Sequence, residues 1–128
     1  MISAFGYSMI VVQNMQKSVE FYTKILQKQP EFSSPRWSQF RMNNFLLGIH
    51  AADSWSDPND PLRAFGSGQK GISLGFWVDN IEEYLKYLAK IKIKVVHGPR
   101  TTGLGNTIYV IDPNGHYLQI CQQVVKKE

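Results

Sequence analysis

The sequence holds a single cysteine, Cys121, among 128 residues. A lone thiol excludes an intrachain disulfide framework and a cysteine-built metal cluster. Wholly apolar runs are a few residues long, against the ~20 that a membrane-spanning helix needs. The opening residues, MISAF, lack a basic segment followed by an apolar core, so no secretory signal is expected. These absences make the cytoplasm the expected compartment, with no membrane partner. Charged residues are 19% of the chain against 43% hydrophobic, and the formal net charge is +4, with a sequence pI near 9.2. Lys86, Lys90, Lys92 and Lys94 form a small basic cluster. No nucleic-acid-binding motif accompanies it, so it reads as a solvated helix face and no nucleic-acid partner is expected.

What is present is an ordinary globular composition and enough length for one domain with a real core, residues 1–128. The stretch at residues 108–121, IYVIDPNGHYLQIC, organises the reading. It predicts two strands joined by a tight turn. Asp112 can bond back to the backbone, Pro113 fixes φ, and Gly115 tolerates a positive φ. Side chains alternate across a sheet, so Tyr117, Gln119 and Cys121 share one face, and His116, Leu118 and Ile120 the other. A neutral amide, Gln119, therefore stands in a mostly apolar strand.

Taken in order, residues 7–12 read as a strand, and Asn14 as the cap of a helix over 15–27 with Val19, Tyr22, Ile25 and Leu26 on one face. Residues 36–42 and 45–50 read as strands joined at Asn43-Asn44. Residues 51–70 are dense in Asp, Pro, Ser and Gly and read as a connector, long for a compact domain. Residues 72–78 read as a strand, 81–90 as a helix capped by Asn80 or Asp79, 94–96 as a short strand, and 97–106 as a Gly-containing loop before the closing hairpin. The buried set expected from this pattern is Phe21 or Tyr22, Leu26, Leu74, Phe76, Leu85 and Leu88.

The segments repeat. Val12-Gln13-Asn14-Met15 aligns with Val78-Asp79-Asn80-Ile81 at an offset of 66 residues, and Leu47-Gly48-Ile49 with Leu118-Gln119-Ile120 at an offset of 71. The order is βαβββ, connector, βαβββ, with one module at about 4–50 and the other at about 71–122. The predicted fold class is α+β.

Two stretches, NMQKSVEFYTKIL at 14–26 and DPNGHYLQI at 112–120, resemble the helix and the closing hairpin of the vicinal oxygen chelate superfamily. That superfamily includes glyoxalase I, extradiol dioxygenases and bleomycin-resistance proteins. GFWVDNIEEYLKYL at 75–88 and GPRTTGLGNTIYVIDPNG at 98–115 are similar to its second module. The resemblance implies an open sheet cup of the glyoxalase/bleomycin-resistance type, a frequent homodimer, and in the enzymes a divalent metal. Its ligands come from the first and last strands of each module. By register those positions are Tyr7 and Gly48 in the first module, and Ser73 and Gln119 in the second. None carries an imidazole or carboxylate, the donors such a metal wants.

Other residues have plainer roles beside the chemical ones. His50 lies two residues after Gly48 on the same side, so it is a candidate acid, base or lone ligand, or else a strand-end histidine at the rim. His116 falls on the face opposite Gln119 and reads as structural or exposed; His97 has no assigned role. Cys121 lacks a placed base and reads as a small packed residue. Tyr7, Trp77 and Tyr117 fall on the ligand-register face, while Trp37 and Phe40 lie on opposite faces of one strand, so only one of them can join it. Those aromatics either fill the cup as core or line a binding site.

The reading is a metal-free, cofactor-free small-molecule binding protein with candidate pocket residues Tyr7, Gly48, His50, Ser73, Trp77, Tyr117 and Gln119. Its ligand would be aromatic or amphipathic. A cationic ligand such as bleomycin is disfavoured by the +4 charge. The rivals are a lyase or dioxygenase with a divergent metal site around His50 with Glu20, Glu31 or Asp53, and a homodimeric interaction domain whose cup is filled. In a dimer the 51–70 connector is expected near the contact or the pocket mouth.

Overall fold

Alternating apolar residues make the strands here, and two asparagine caps start the helices. The computed structural model describes residues 6–52, 74–102 and 105–123. The chain divides into two compact units, residues 1–68 and 69–128. In the first, β1 (Ser8–Val12), α1 (Met15–Leu26), β2 (Phe32–Ser33), β3 (Trp37–Met42) and β4 (Phe45–Ala51) follow one another. The second has β5 (Leu74–Val78), α2 (Ile81–Lys90), β6 (His97–Thr102), β7 (Gly105–Ile111) and β8 (Tyr117–Gln123). Each unit forms a four-stranded sheet, ordered β1-β4-β3-β2 and β5-β8-β7-β6. The β1–β4 and β5–β8 pairs are parallel and the rest antiparallel. The fold is the α+β arrangement of two βαβββ modules expected from the sequence.

The register carries the repeat down to single residues. Ser8 pairs with Leu47 and Met9 with Gly48; 66 and 71 residues on, Leu74 pairs with Leu118 and Gly75 with Gln119. The helices start alike. Asn14 Oδ1 accepts the Lys17 N–H at 3.0 Å, and Asn80 Oδ1 accepts the Glu83 N–H at 3.0 Å, each satisfying a donor that the first helical turn leaves free.

In each unit one sheet face builds the core. The first buries Val12, Phe40, Leu47 and Ile49 with Tyr22 and Ile25 of α1, and the Tyr22 and Phe40 rings lie 6.4 Å apart. The second buries Ile108, Val110, Leu118 and Ile120, with Ile81 and Leu88 of α2. Gln122 on β8 reaches α2, its Oε1 accepting the Ile81 N–H at 2.8 Å.

Three expectations need correction. The buried set is narrower: Tyr22 and Leu88 are fully buried, while Phe21, Leu26, Leu74, Phe76 and Leu85 are half-buried. The physical reason is placement. β5 is an edge strand of its sheet, and the buried residues of α2, Ile81 and Leu88, stand seven positions apart, a narrow stripe. The βαβββ order requires a third strand after the first helix, to which the sequence assigned no residues; it is β2, two residues long and exposed. In the second module the strand is β6, not residues 94–96, which form no strand, and the supposed loop at 97–106 is largely extended. The connector from residue 53 on lies outside the described residues.

The hairpin turn is built from Asp112. Its Oδ1 accepts the N–H groups of Asn114 and His116, both at 2.8 Å, while Oδ2 lies 2.6 Å from His116 Nδ1. The Gly115 N–H closes the turn on the Asp112 carbonyl at 3.1 Å, with Gly115 at φ +88°. His116 is thus buried and structural.

Leu88→Ala should lower unfolding free energy by about 2–5 kcal/mol. Leu85→Ala, at a half-buried site, should cost clearly less in the same urea titration. Equal losses would show that the α2 stripe is wider than the two buried positions.

Candidate functional site

The face of each sheet turned away from its helix carries the polar and aromatic residues. On the first unit, β1, β4 and β3 place Met9 beside Gly48 and Gly48 beside Gln39; on the next rung Val11 stands beside His50 and His50 beside Trp37. Trp37, not Phe40, takes the open face: Phe40 is wholly buried and Trp37 half-buried.

The indole of Trp37 occupies the space a side chain at Gly48 would take. A Cβ built on Gly48 would overlap three atoms of the six-membered ring. Tyr7 and His50 meet the indole edge-on, each with its centroid 6.0 Å away and its plane turned by 90° and 82°, the arrangement that ring quadrupoles favour. The Nδ1–H of His50 donates to the Ala51 carbonyl at 2.9 Å. Tyr7 is 56% exposed.

A chain of hydrogen bonds sets the indole's angle. Trp37 Nε1–H donates to Gln39 Oε1 at 2.8 Å. Gln39 Nε2 donates to Glu31 Oε1 at 2.6 Å. Arg41 Nε donates to Glu31 Oε2 at 2.6 Å and its Nη2 to Oε1 at 3.2 Å. The last link is bidentate and charge-assisted. The hydrogen bonds from Arg41 and from Gln39 hold the Glu31 carboxyl below the ordinary glutamate range, and the same bond raises Arg41. Gln39's amide can satisfy both neighbours in only one orientation, so Trp37 is pinned through a side chain that cannot flip.

On the second unit, one rung across the sheet runs Gly75, Gln119, Tyr109, His97, and the next runs Trp77, Cys121, Thr107, Arg100. Trp77 is 57% exposed and Tyr117 50%; Gln119 is half-buried. Cys121 is buried, its sulfur accepting from Thr107 Oγ1 at 3.2 Å, a packed thiol.

Of the sequence-derived candidates, Tyr7, Gly48 and His50 come together on the first face, and Trp77, Tyr117 and Gln119 share the second. Ser73 lies outside the described residues. Sequence reasoning missed Gln39 and Arg41, named Glu31 only as a rival metal ligand, and assigned His97 no role. The signal for Gln39 and Arg41 was available, because they alternate with Phe40 on one strand. Glu31 stands outside any strand, so nothing in the pattern tied it to Gln39 and Arg41.

The donor set does not fit a tight divalent-metal site. Gly48 offers no donor, and the Trp37 ring fills the volume where a ligand side chain would go. Gln119 is a neutral amide and Tyr7 a phenol, poor replacements for imidazole and carboxylate. Among the described residues no three His, Cys, Asp or Glu side chains gather to hold an ion. Of the rival ligands, Glu20 pairs with Lys24 at 3.4 Å, Glu31 is held by Arg41, and Asp53 lies outside the described residues.

Known proteins resemble this chain. Phenazine antibiotic resistance protein EhpR of Enterobacter agglomerans is 30% identical over 118 residues, spanning 88% of this chain and 87% of its own. The lactoylglutathione lyase of Agrobacterium tumefaciens superposes with a TM-score of 0.72 at 17% identity, over 94% of both chains. The fosfomycin resistance protein FosX of Listeria monocytogenes, solved with Mn(II) and sulfate, gives 0.70 at 19% identity, over 98% of this chain and 94% of its own. At these identities the two structures speak for the fold alone. Residues 5–125 match the glyoxalase-like domain. The chain belongs to that family, within the vicinal oxygen chelate superfamily.

Proposed function

We propose that this protein binds a planar aromatic small molecule and acts by holding it, without bond chemistry and without a resident metal. The observation that carries the reading is the Trp37 indole over Gly48. A ligand position of the metal-dependent relatives is here given to an aromatic ring, braced by Tyr7 and His50 and oriented through Gln39. A pinned tryptophan offers contact area with little ordering entropy to lose on binding. Trp77 and Tyr117, with the Gln119 amide beside them, give the second unit an exposed aromatic surface with a polar group to orient a ligand. Ser73 completes the candidate set at the register implied by the repeat. The EhpR likeness supports the same ligand class, because phenazine is a flat, fused aromatic.

With no anionic donor at the ligand registers, nothing offsets the cost of stripping water from a divalent ion. The purified protein should carry well under one equivalent of zinc, nickel, manganese or iron by elemental analysis. Chelator should leave its melting temperature unchanged. A stoichiometric metal would replace this reading with an enzymatic one.

Phenazine, as the probe, should bind with a calorimetric Kd that Trp37→Ala weakens about tenfold or more. Lys24→Ala on the helix side should leave it unchanged, and Gln39→Leu should weaken it less than Trp37→Ala. The bracing is pH-dependent through Glu31. Its folded pKa lies below its unfolded value, so the brace is intact above the ordinary glutamate range and is lost as pH falls through the depressed folded pKa. Binding should therefore hold steady down to the unperturbed value of 4.5 and decline only below it. Equal affinity in the Trp37→Ala variant would remove the platform from the proposal.

The proposal extends to a cytoplasmic homodimer. Light scattering at micromolar concentration should return twice the chain mass of 14.6 kDa; a single-chain mass would refute the dimer and leave the binding reading standing.

A further inference from the structure

We propose that the second unit carries an anion-recognition subsite, built from Arg100, Tyr109 and His97 on the open sheet face, which selects aromatic acids over neutral aromatics. This deepens the ligand reading above and rests on it for the aromatic part of the ligand.

The subsite depends on an irregularity in β6. His97 pairs with Tyr109 and Arg100 with Thr107, so three steps along β6 match two along β7, and the register shifts between them. Strict alternation would turn residues 97 and 100 to opposite faces. The extra residue instead brings both to the Tyr109 and Thr107 side. Gly98 makes this possible. Its φ is +90°, and a Cβ there would stand 2.6 Å from the Thr107 carbonyl oxygen.

The result is two basic side chains on one tyrosine. The Arg100 guanidinium carbon lies 5.7 Å from the Tyr109 ring centroid, and its Nη2 donates to the Tyr109 hydroxyl at 3.5 Å. The His97 ring centroid is 5.7 Å from that of Tyr109. All of β6 up to Thr101 is exposed.

Charge accounting separates this arginine from Arg41. Arg41 spends its fork on Glu31. No carboxylate of the described residues pairs with Arg100, whose partner is the neutral Tyr109. Its planar fork matches a carboxylate bidentately. The Tyr109 O–H has no acceptor among the described residues, so it can donate to the same anion, as can an N–H of His97 in either protonation state. Cation–π stacking on Tyr109 holds the guanidinium without neutralising it.

Geometry fixes the ligand's other end. Trp77 stands on the Arg100 rung, three strand spacings or roughly 14 Å away along the sheet. Gln119 lies next to Tyr109 on the adjacent rung. Thr107 and Cys121, between Arg100 and Trp77, are buried, whereas Tyr109 and Gln119 are half-buried, so an acid with its carboxylate toward Arg100 sets its rings along the Tyr109–Gln119 rung.

Two probes separate this proposal from the ligand reading beneath it. Sodium benzoate, titrated into labelled protein, should give saturable NMR shifts at the Arg100 Nε–H and the Thr101 amide. Those shifts should be lost in Arg100→Gln and partly retained in Arg100→Lys. By calorimetry, phenazine-1-carboxylate should bind about tenfold tighter than phenazine-1-carboxamide, and Arg100→Gln should bring the ratio near one, chiefly by weakening the carboxylate. Benzoate shifts with no binding of either phenazine would keep the anion subsite and overturn the planar-aromatic reading. Phenazine binding with a ratio near one in the unmodified protein would overturn the subsite and leave that reading intact.

Discussion

The close approach of the Trp37 ring to Gly48 governs the first unit's open face. It requires glycine on β4, because any side chain there would collide with the indole. It also requires something to hold the ring at that angle, since a half-buried tryptophan on a sheet face has several rotamers available. The chain through Gln39 and Glu31 to Arg41 supplies that restraint, and its charged end is exposed while its aromatic end is sheltered. The ion pair is therefore worth little as stability in its own right. Its role is orientation: it fixes Glu31, which fixes the Gln39 amide, which fixes the indole.

The repeat explains why such specialisation leaves the fold undisturbed. In both units the core uses the sheet face toward the helix, and the pairing of first and last strands keeps the same register. The other face contributes less to burial and can change residue by residue. Gly48 and Gln119 are equivalent positions, yet one is covered by an indole and the other presents an amide. Gln39 and Tyr109 are likewise equivalent, as the partners of Gly48 and Gln119. The first relays a brace to Trp37; the second carries Arg100. One scaffold thus hosts two different surfaces, which is why membership of the family settles the architecture and leaves the activity to the side chains on these faces.

Legibility in the sequence followed the strength of the local signal. The α2 span, both asparagine caps, the Asp112 turn and the offsets of 66 and 71 were readable, because each rests on short-range chemistry or on periodicity. The face assignments of Tyr117, Gln119, Trp77 and Leu74 followed from alternation alone. β2 was not readable: it is a two-residue exposed strand without an apolar pattern, held by pairing to β3. β6 was misread because HGPR looks like turn chemistry, and glycine and proline within a strand signal a bulge only once its partner is known. Trp37 could be narrowed to one of two residues but not chosen, since the choice depends on which face of β3 meets α1.

The misread segment makes the more general physical point. Glycine and proline in β6 are usually counted against a strand, because one lacks a side chain to pack and the other lacks an N–H to donate. On an edge strand neither loss is large. Among the described residues β6 has a sheet neighbour on one side only, and its outer groups need no ladder partner. What the two residues provide is a change of parity, after which His97 and Arg100 flank the same ring. A regular strand of the same length would place one of those basic side chains on the helix side of the sheet, against Ile108 and Val110, where an unpaired polar or charged group is costly. The irregularity therefore does two things at once: it keeps basic side chains out of the core, and it gathers them on the face where a ligand can meet them.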